Sequence, residues 1–122
     1  MIVGVGTDMT LIARIRKLRP AVVKRLLTPK EEAYCRRYVD PHARIAGRFA
    51  AKEAVLKAMG TGLSGGITWR QVEILSDAKG APRVVFSGAA NRRFHALNAT
   101  RCHLSISHES EYALAFAVLE SD

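Results

Sequence analysis

Three ionisable residues stand where packing alone gives them little to do. Asp8 ends an apolar stretch, IVGVGTDM (2–9), and a carboxylate there must find a cation or hydrogen-bond donors. Glu53 and Lys57 lie in RFAAKEAVLKAMGTG (48–62), a helix-like run that leaves little of its circumference for solvent. Two carboxylates on separate elements, completed by phosphate oxygens and water, make a good Mg²⁺ site, because that ion takes oxygen ligands and keeps several waters. Each residue also has a plainer reading. Glu53 followed by Lys57 is the favourable order for an i,i+4 ion pair, worth roughly a few tenths of a kcal/mol. Asp8 or Thr10 would serve as the cap of a following helix. Lys52 interrupts an apolar stripe, and snorkelling or ligand contact would each account for it.

The elements that must position these residues are legible in outline. Residues 2–9 read as a buried strand, and Gly4 and Gly6 strip one of its faces of side chains, so something packs close there. A helix follows over 10–18, started by Thr10, then a short helix carrying AVVKRLL with Pro20 in its first turn. Thr28-Pro29-Lys30-Glu31 is a capping box with proline at the first position, and that helix should end near Asp40-Pro41. A long helix runs from about Ala43 to Met59 and stops at Gly60. Ile45, Phe49, Lys52, Leu56 and Met59 are spaced 4, 3, 4, 3, one helical stripe. Gly47, Ala51, Ala54 and Ala58 form a second stripe of small residues that admits a close neighbour. Phe49, Glu53 and Lys57 form a third line. Beyond lie the glycine-rich loop GTGLSGG (60–66), strands at 67–75 and 82–88 joined as a hairpin, and a helix over 89–99. Strands at 103–108 and 111–120 close the chain. The order βααααββαββ predicts an α+β fold, a mainly antiparallel sheet packed against helices, in a single domain spanning 1–122.

Composition narrows the class. The chain has 122 residues, 48% hydrophobic and 25% charged, as in ordinary globular proteins. No run reaches the roughly 20 apolar residues of a membrane span. The N-terminus carries no basic leader, and Cys35 and Cys102 are far apart, so a reducing cytoplasm is expected. The net charge is +8, and all of it lies between Arg14 and Arg48, where eleven basic residues face three acids. Such a field attracts an acidic partner, whether a protein, a phosphorylated ligand or nucleic acid. GTGLSGG matches neither a Walker loop nor a dinucleotide fingerprint. His103 and His108 bracket a strand and must point to opposite faces, while His42 and His95 read as surface positions.

Four segments together carry a resemblance: GVGTDMTLIARI (4–15), RFAAKEAVLKAMGTG (48–62), the W..VEI…D..G.P hairpin (69–82) and HLSISHESEYALAFAVLE (103–120). They resemble holo-acyl-carrier-protein synthases, the small trimeric type of phosphopantetheinyl transferase, over nearly the whole chain. The resemblance implies transfer of the phosphopantetheine arm of coenzyme A to a serine of an apo-acyl carrier protein, with adenosine 3′,5′-bisphosphate released. It implies Mg²⁺ held by Asp8 and Glu53, Lys57 near the pyrophosphate, and active sites in clefts between the subunits of a homotrimer. The nucleophile belongs to the substrate. Metal-bound water or His108 would take the serine proton. Arg48 and the turn Gly60, Thr61, Gly62 would contact nucleotide phosphates. Arg14 matches a basic position on the family's docking helix for the acidic carrier, with Arg16, Lys17, Lys24 and Arg25 as helpers by charge. The holo carrier would serve fatty acid biosynthesis.

Two positions depart from the pattern. Leu11 stands where the first motif often has glutamate, which removes a possible third carboxylate from the metal site. Ala81 stands where a basic residue before proline is frequent, which weakens any phosphate grip by that turn. The runner-up is a basic nucleic-acid-binding α+β module, suggested by a pI of 10.1 but short of aromatics for stacking. A third reading keeps the trimeric fold without catalysis, against which Asp8, Glu53 and Lys57 all stand.

Overall fold

The bare face of the first strand is filled by helix backbone. Strand β1 (Ile2–Leu11) lies directly on helix α4 (Pro41–Met59). A methyl group on Gly4 would overlap the carbonyl of Ala58, and one on Gly6 that of Ala54. Glycine on the strand and alanine on the helix thus bring two backbones into contact, and the register of that contact fixes where Asp8 falls along α4. The computed structural model describes residues 1–122.

Around this crossing the chain runs α1 (Ile12–Arg16), α2 (Pro20–Leu26) and α3 (Pro29–Arg36) before α4, then a 3₁₀ turn (Trp69–Gln71), β2 (Val72–Ser76), β3 (Pro82–Phe86), α5 (Gly88–Ala96), β4 (Arg101–His108) and β5 (Tyr112–Glu120). Strands β1, β5 and β4 form an antiparallel sheet in that order, and β2 and β3 form a separate antiparallel hairpin. The α+β class and the antiparallel pairing follow the sequence reading. The strands split into two sheets rather than one.

One face of the three-stranded sheet is apolar and covered. Ala113, Ala115, Ala117 and Leu119 of β5 are buried there with Ile45, Ala51, Val55 and Leu56 of α4 in one core. The other face is also apolar, yet open. Val5, Met9, Tyr112, Leu114 and Phe116 stand between 40% and 63% exposed.

Several boundaries differ from the sequence reading. β1 continues to Leu11, because Thr10 is buried, pairs with Ala113 and is β-branched, so it extends the strand instead of starting a helix. α1 is accordingly shorter than 10–18 at both ends, and no side chain caps it. α3 stops at Arg36, and Asp40 caps the next helix instead, accepting the His42 N–H at 3.2 Å. The segment 67–75 is not a strand throughout: residues 69–71 turn as 3₁₀, with the Gln71 carboxamide oxygen accepting the Thr68 and Ala90 N–H groups. β3 ends at Phe86, α5 occupies 88–96, and β4 begins at Arg101.

Candidate active site

Lys57 settles which pairing the long helix uses. Its amine lies 3.2 Å from Asp8 Oδ1 and donates to the Thr7 carbonyl at 2.9 Å. It makes no ion pair with Glu53 one turn earlier, although that spacing favours one. The close crossing of β1 and α4 explains the choice, since it offers Lys57 a carboxylate from the strand. Asp8 does not cap a helix. Its other oxygen accepts the Thr10 hydroxyl at 2.9 Å, two residues along the same strand face. Glu53, half-buried on the line shared with Phe49 and Lys57, accepts the Trp69 indole N–H on Oε1 at 2.8 Å. Its second oxygen takes no protein donor.

Asp8 and Lys57 therefore meet at one edge of α4, with Glu53 one turn earlier on the same helix line. Asp8, held by the Lys57 amine and the Thr10 hydroxyl, and Glu53, held by the neutral Trp69 indole, retain oxygen lone pairs for a hard cation, and the pair suits Mg²⁺ completed by phosphate and water. No third acidic or thiol or imidazole ligand joins them, in keeping with Leu11 at the position of a possible third carboxylate. Thr10 and Trp69 escaped the sequence reading as site residues. The available signals were a buried-type threonine on the face of Asp8 and the only tryptophan of the chain.

Lys52 is neither a snorkelling side chain nor a ligand contact. It is fully buried, with its amine 2.8 Å from Glu31 Oε1 and donating to the carbonyls of Trp69 and Val72 at 2.9 and 2.8 Å. Those three partners satisfy its three donors. Burial lowers the Lys52 pKa, opposed by the Glu31 charge. Glu31 therefore does more than complete the capping box at Thr28, since its second oxygen also accepts the Ile74 N–H at 2.8 Å.

A second cluster lies away from the first. His108 turns inward against Gly47, and Gly47 has no side chain to obstruct it. Its Nε2 is buried without a partner. Burial and the nearby Arg44 and Arg48 charges lower its pKa below the ordinary 6.5. Arg48 is 5% exposed, stacks over the Tyr34 ring at 4.1 Å and donates to the Ser76 hydroxyl at 3.1 Å. With Arg37 and Arg83, which the sequence reading did not single out, it lines a basic hollow of about 440 Å³. Arg48 and His108 thus do not join Asp8, Glu53 and Lys57 within one chain. His103, as expected, faces the opposite way and contacts Glu120 at 2.8 Å.

The remaining candidates are distributed along the helical side. Gly60 ends α4 in the left-handed conformation at φ +76°, and no protein acceptor takes the N–H groups of Thr61 or Gly62. A helix C-terminus presents carbonyls, and Arg93 covers the Met59 carbonyl at 2.9 Å. The turn can therefore meet a phosphate through its own free N–H groups and the Thr61 hydroxyl. The hairpin turn at 77–81 is less available, because Asp77 already accepts the Lys79 and Ala81 N–H groups. Arg14 is exposed beside an apolar hollow lined by Ile15, Leu18, Val22, Leu26, Phe49 and Trp69. Lys24 and Arg25 are exposed nearby, whereas Arg16 is tied to Asp40 at 2.6 Å. Burial raises the thiol pKa of Cys35 to about 11 and of Cys102 to about 12, leaving both unreactive.

The sequence model of the 4′-phosphopantetheinyl transferase superfamily matches residues 4–117. The chain belongs to that superfamily. The transferase is 44% identical to the holo-[acyl-carrier-protein] synthase of Shewanella loihica, covering all of both chains. Its fold superposes on the crystal structure of holo-[acyl-carrier-protein] synthase from Neisseria meningitidis with a TM-score of 0.90, at 38% identity over 99% of this chain and 100% of that one. A holo-(acyl-carrier-protein) synthase from Bacillus anthracis, solved in complex with CoA (3′,5′-ADP), gives 0.84 at 36% identity over 100% and 99%. The phosphopantetheinyl transferase fold expected from the sequence is the fold observed, and nothing supports a nucleic-acid-binding module. No helix of the transferase is long and apolar enough to cross a membrane.

Proposed function

We propose that this chain, as a single domain, is a holo-acyl-carrier-protein synthase that moves the phosphopantetheine arm of coenzyme A onto a serine of an acidic acyl carrier protein. The observation that carries the reading is the meeting of Asp8 and Lys57 at 3.2 Å, one helical turn from Glu53. Asp8 and Glu53 would hold Mg²⁺, which when bound neutralises charge on the pyrophosphate of coenzyme A. Lys57 adds a fixed cation beside the departing phosphate. The free N–H groups of Thr61 and Gly62 lie one turn further on and suit phosphate oxygens. The serine nucleophile comes with the carrier, so none is needed in this chain.

The Arg48–His108 cluster and the Asp8–Glu53–Lys57 cluster lie apart in one subunit, and the outer face of the β1-β5-β4 sheet is apolar and open. A homotrimer built on that face would set one subunit's basic cluster against its neighbour's carboxylates, with Arg48 on a nucleotide phosphate. His108, neutral near pH 7 in such a cleft, would accept a proton there. Arg14 and the apolar hollow beside it would receive the carrier, with Lys24 and Arg25 steering its approach. The setting is the cytoplasm, and the holo carrier feeds fatty acid synthesis.

The test is incubation with apo carrier protein, coenzyme A and Mg²⁺, followed by the intact mass of the carrier. The wild type should add one phosphopantetheine group, and Asp8→Ala or Glu53→Ala should abolish the addition while remaining folded. An unmodified carrier with the wild type would overturn the activity. Full activity in both variants would overturn the assigned site.

A further inference from the structure

Residues 52 and 53 of α4 grip one residue of a different element from both ends. The Lys52 amine takes the Trp69 carbonyl at 2.9 Å, and Glu53 Oε1 takes the Trp69 indole N–H at 2.8 Å. The indole also packs beside Phe49 with ring centroids 6.1 Å apart, one turn before Glu53 on the same helix line. The backbone end of this grip rests on the buried Lys52–Glu31 pair. A buried ion pair is weak evidence for stability and better evidence for specifying one arrangement. Here the arrangement specified is the 3₁₀ turn that aims the indole at Glu53.

The chemistry of the donor matters. A lysine or arginine on Glu53 would neutralise the carboxylate and compete with a cation. An indole N–H is neutral and donates one bond only. It fixes the carboxylate's rotamer while leaving its charge and its second oxygen free. We propose that Trp69 is a positioning residue for the reaction, holding Glu53 in the orientation that binds the divalent cation, and that the Lys52–Glu31 pair holds Trp69 in place. This rests on the cation-site reading of Asp8 and Glu53 given above.

Trp69 is the only tryptophan of the chain, so its emission reports on the site directly. In the full-length protein, Mn²⁺ serves as the probe, with its free concentration followed by electron paramagnetic resonance. Mn²⁺ should quench Trp69 emission with the same saturation as its binding, and Glu53→Gln should remove that quenching. Unquenched emission from Mn²⁺-saturated wild type would overturn the proposal, and this measurement needs no variant of Trp69. Trp69→Phe keeps an aromatic ring, smaller than the indole, and deletes the N–H. It should weaken Mn²⁺ binding on the order of 10-fold and raise the Mg²⁺ concentration for half-maximal rate alike. In the Glu53→Gln background, Trp69→Phe should weaken Mn²⁺ binding no further. Wild-type Mn²⁺ affinity in Trp69→Phe, with Glu53→Gln weakened, would sink the positioning role alone. Unchanged Mn²⁺ affinity in both Asp8→Asn and Glu53→Gln would instead overturn the cation site itself.

Discussion

Lys57 faces a choice between a carboxylate on its own helix and one on a strand, and it takes the strand. Its side chain is 56% exposed, so the contact with Asp8 is worth little to the fold. Its proposed value is charge placed where a phosphate departs. Lys57→Met should therefore leave thermal stability nearly unchanged while lowering kcat on the order of 10²-fold, read from carrier modification at saturating coenzyme A. His108 offers the complementary test. Its folded pKa lies below the ordinary 6.5, through burial first and then the Arg44 and Arg48 charges. The folded state thus binds the proton less readily than the unfolded chain. Stability from this group is fully present above the unfolded pKa and is lost as pH falls through the folded value. The wild type should lose melting temperature between about pH 7 and about pH 5 more steeply than His108→Gln, as followed by calorimetry. Parallel profiles would show that His108 is not the group responsible.

At the scale of elements, the site is set by how close β1 lies to α4. Glycine at 4 and 6 and alanine at 54 and 58 leave no side chain between the two backbones. That closeness delivers Asp8 to Lys57, and the second grip, from Lys52 and Glu53 onto the 69–71 turn, delivers Trp69 to Glu53. Gly6→Ala places a methyl on the Ala54 carbonyl and must push the strand off the helix. Overpacking of this kind costs about 1–3 kcal/mol, measurable as a lower urea midpoint. Transfer activity should fall further than stability, because Asp8 moves with the strand. A variant as active as the wild type would mean that the site does not depend on this crossing.

At the scale of the molecule, one sheet carries two apolar faces and only one is covered. Met9 and Leu114 are paired across β1 and β5, and with Phe116 they remain about half exposed. Exposed apolar surface of this extent marks an interaction site, and a second and third copy of the chain are its proposed occupants. Light scattering should give three times the 13.4 kDa chain mass. Leu114→Asp with Phe116→Glu should give monomers that keep their helix content but lose transfer activity, because Arg48 and His108 would no longer face a neighbour's carboxylates. Active monomers would remove the need for shared sites. Carrier affinity should also fall with added salt, since the excess charge lies between Arg14 and Arg48.

The sequence by itself determined the class of fold, the helix starts at Pro20 and Thr28, the stop at Gly60 and the opposite facing of His103 and His108, and it singled out Asp8, Glu53 and Lys57 as the candidates for the proposed site. These are local matters: cap chemistry, period and residue type act within a few positions of the chain. Tertiary structure alone decided the partners. Lys57 could pair with Glu53 or Asp8, Thr10 could cap or extend, and Lys52 could snorkel or be buried, and each choice turned on which distant atoms arrived. Lys52 meets Glu31, Trp69 and Val72, and Glu53 meets Trp69. A buried charge takes whatever oxygen the fold supplies, because leaving it unpaired costs more than any local preference, and that supply is a property of packing rather than of spacing.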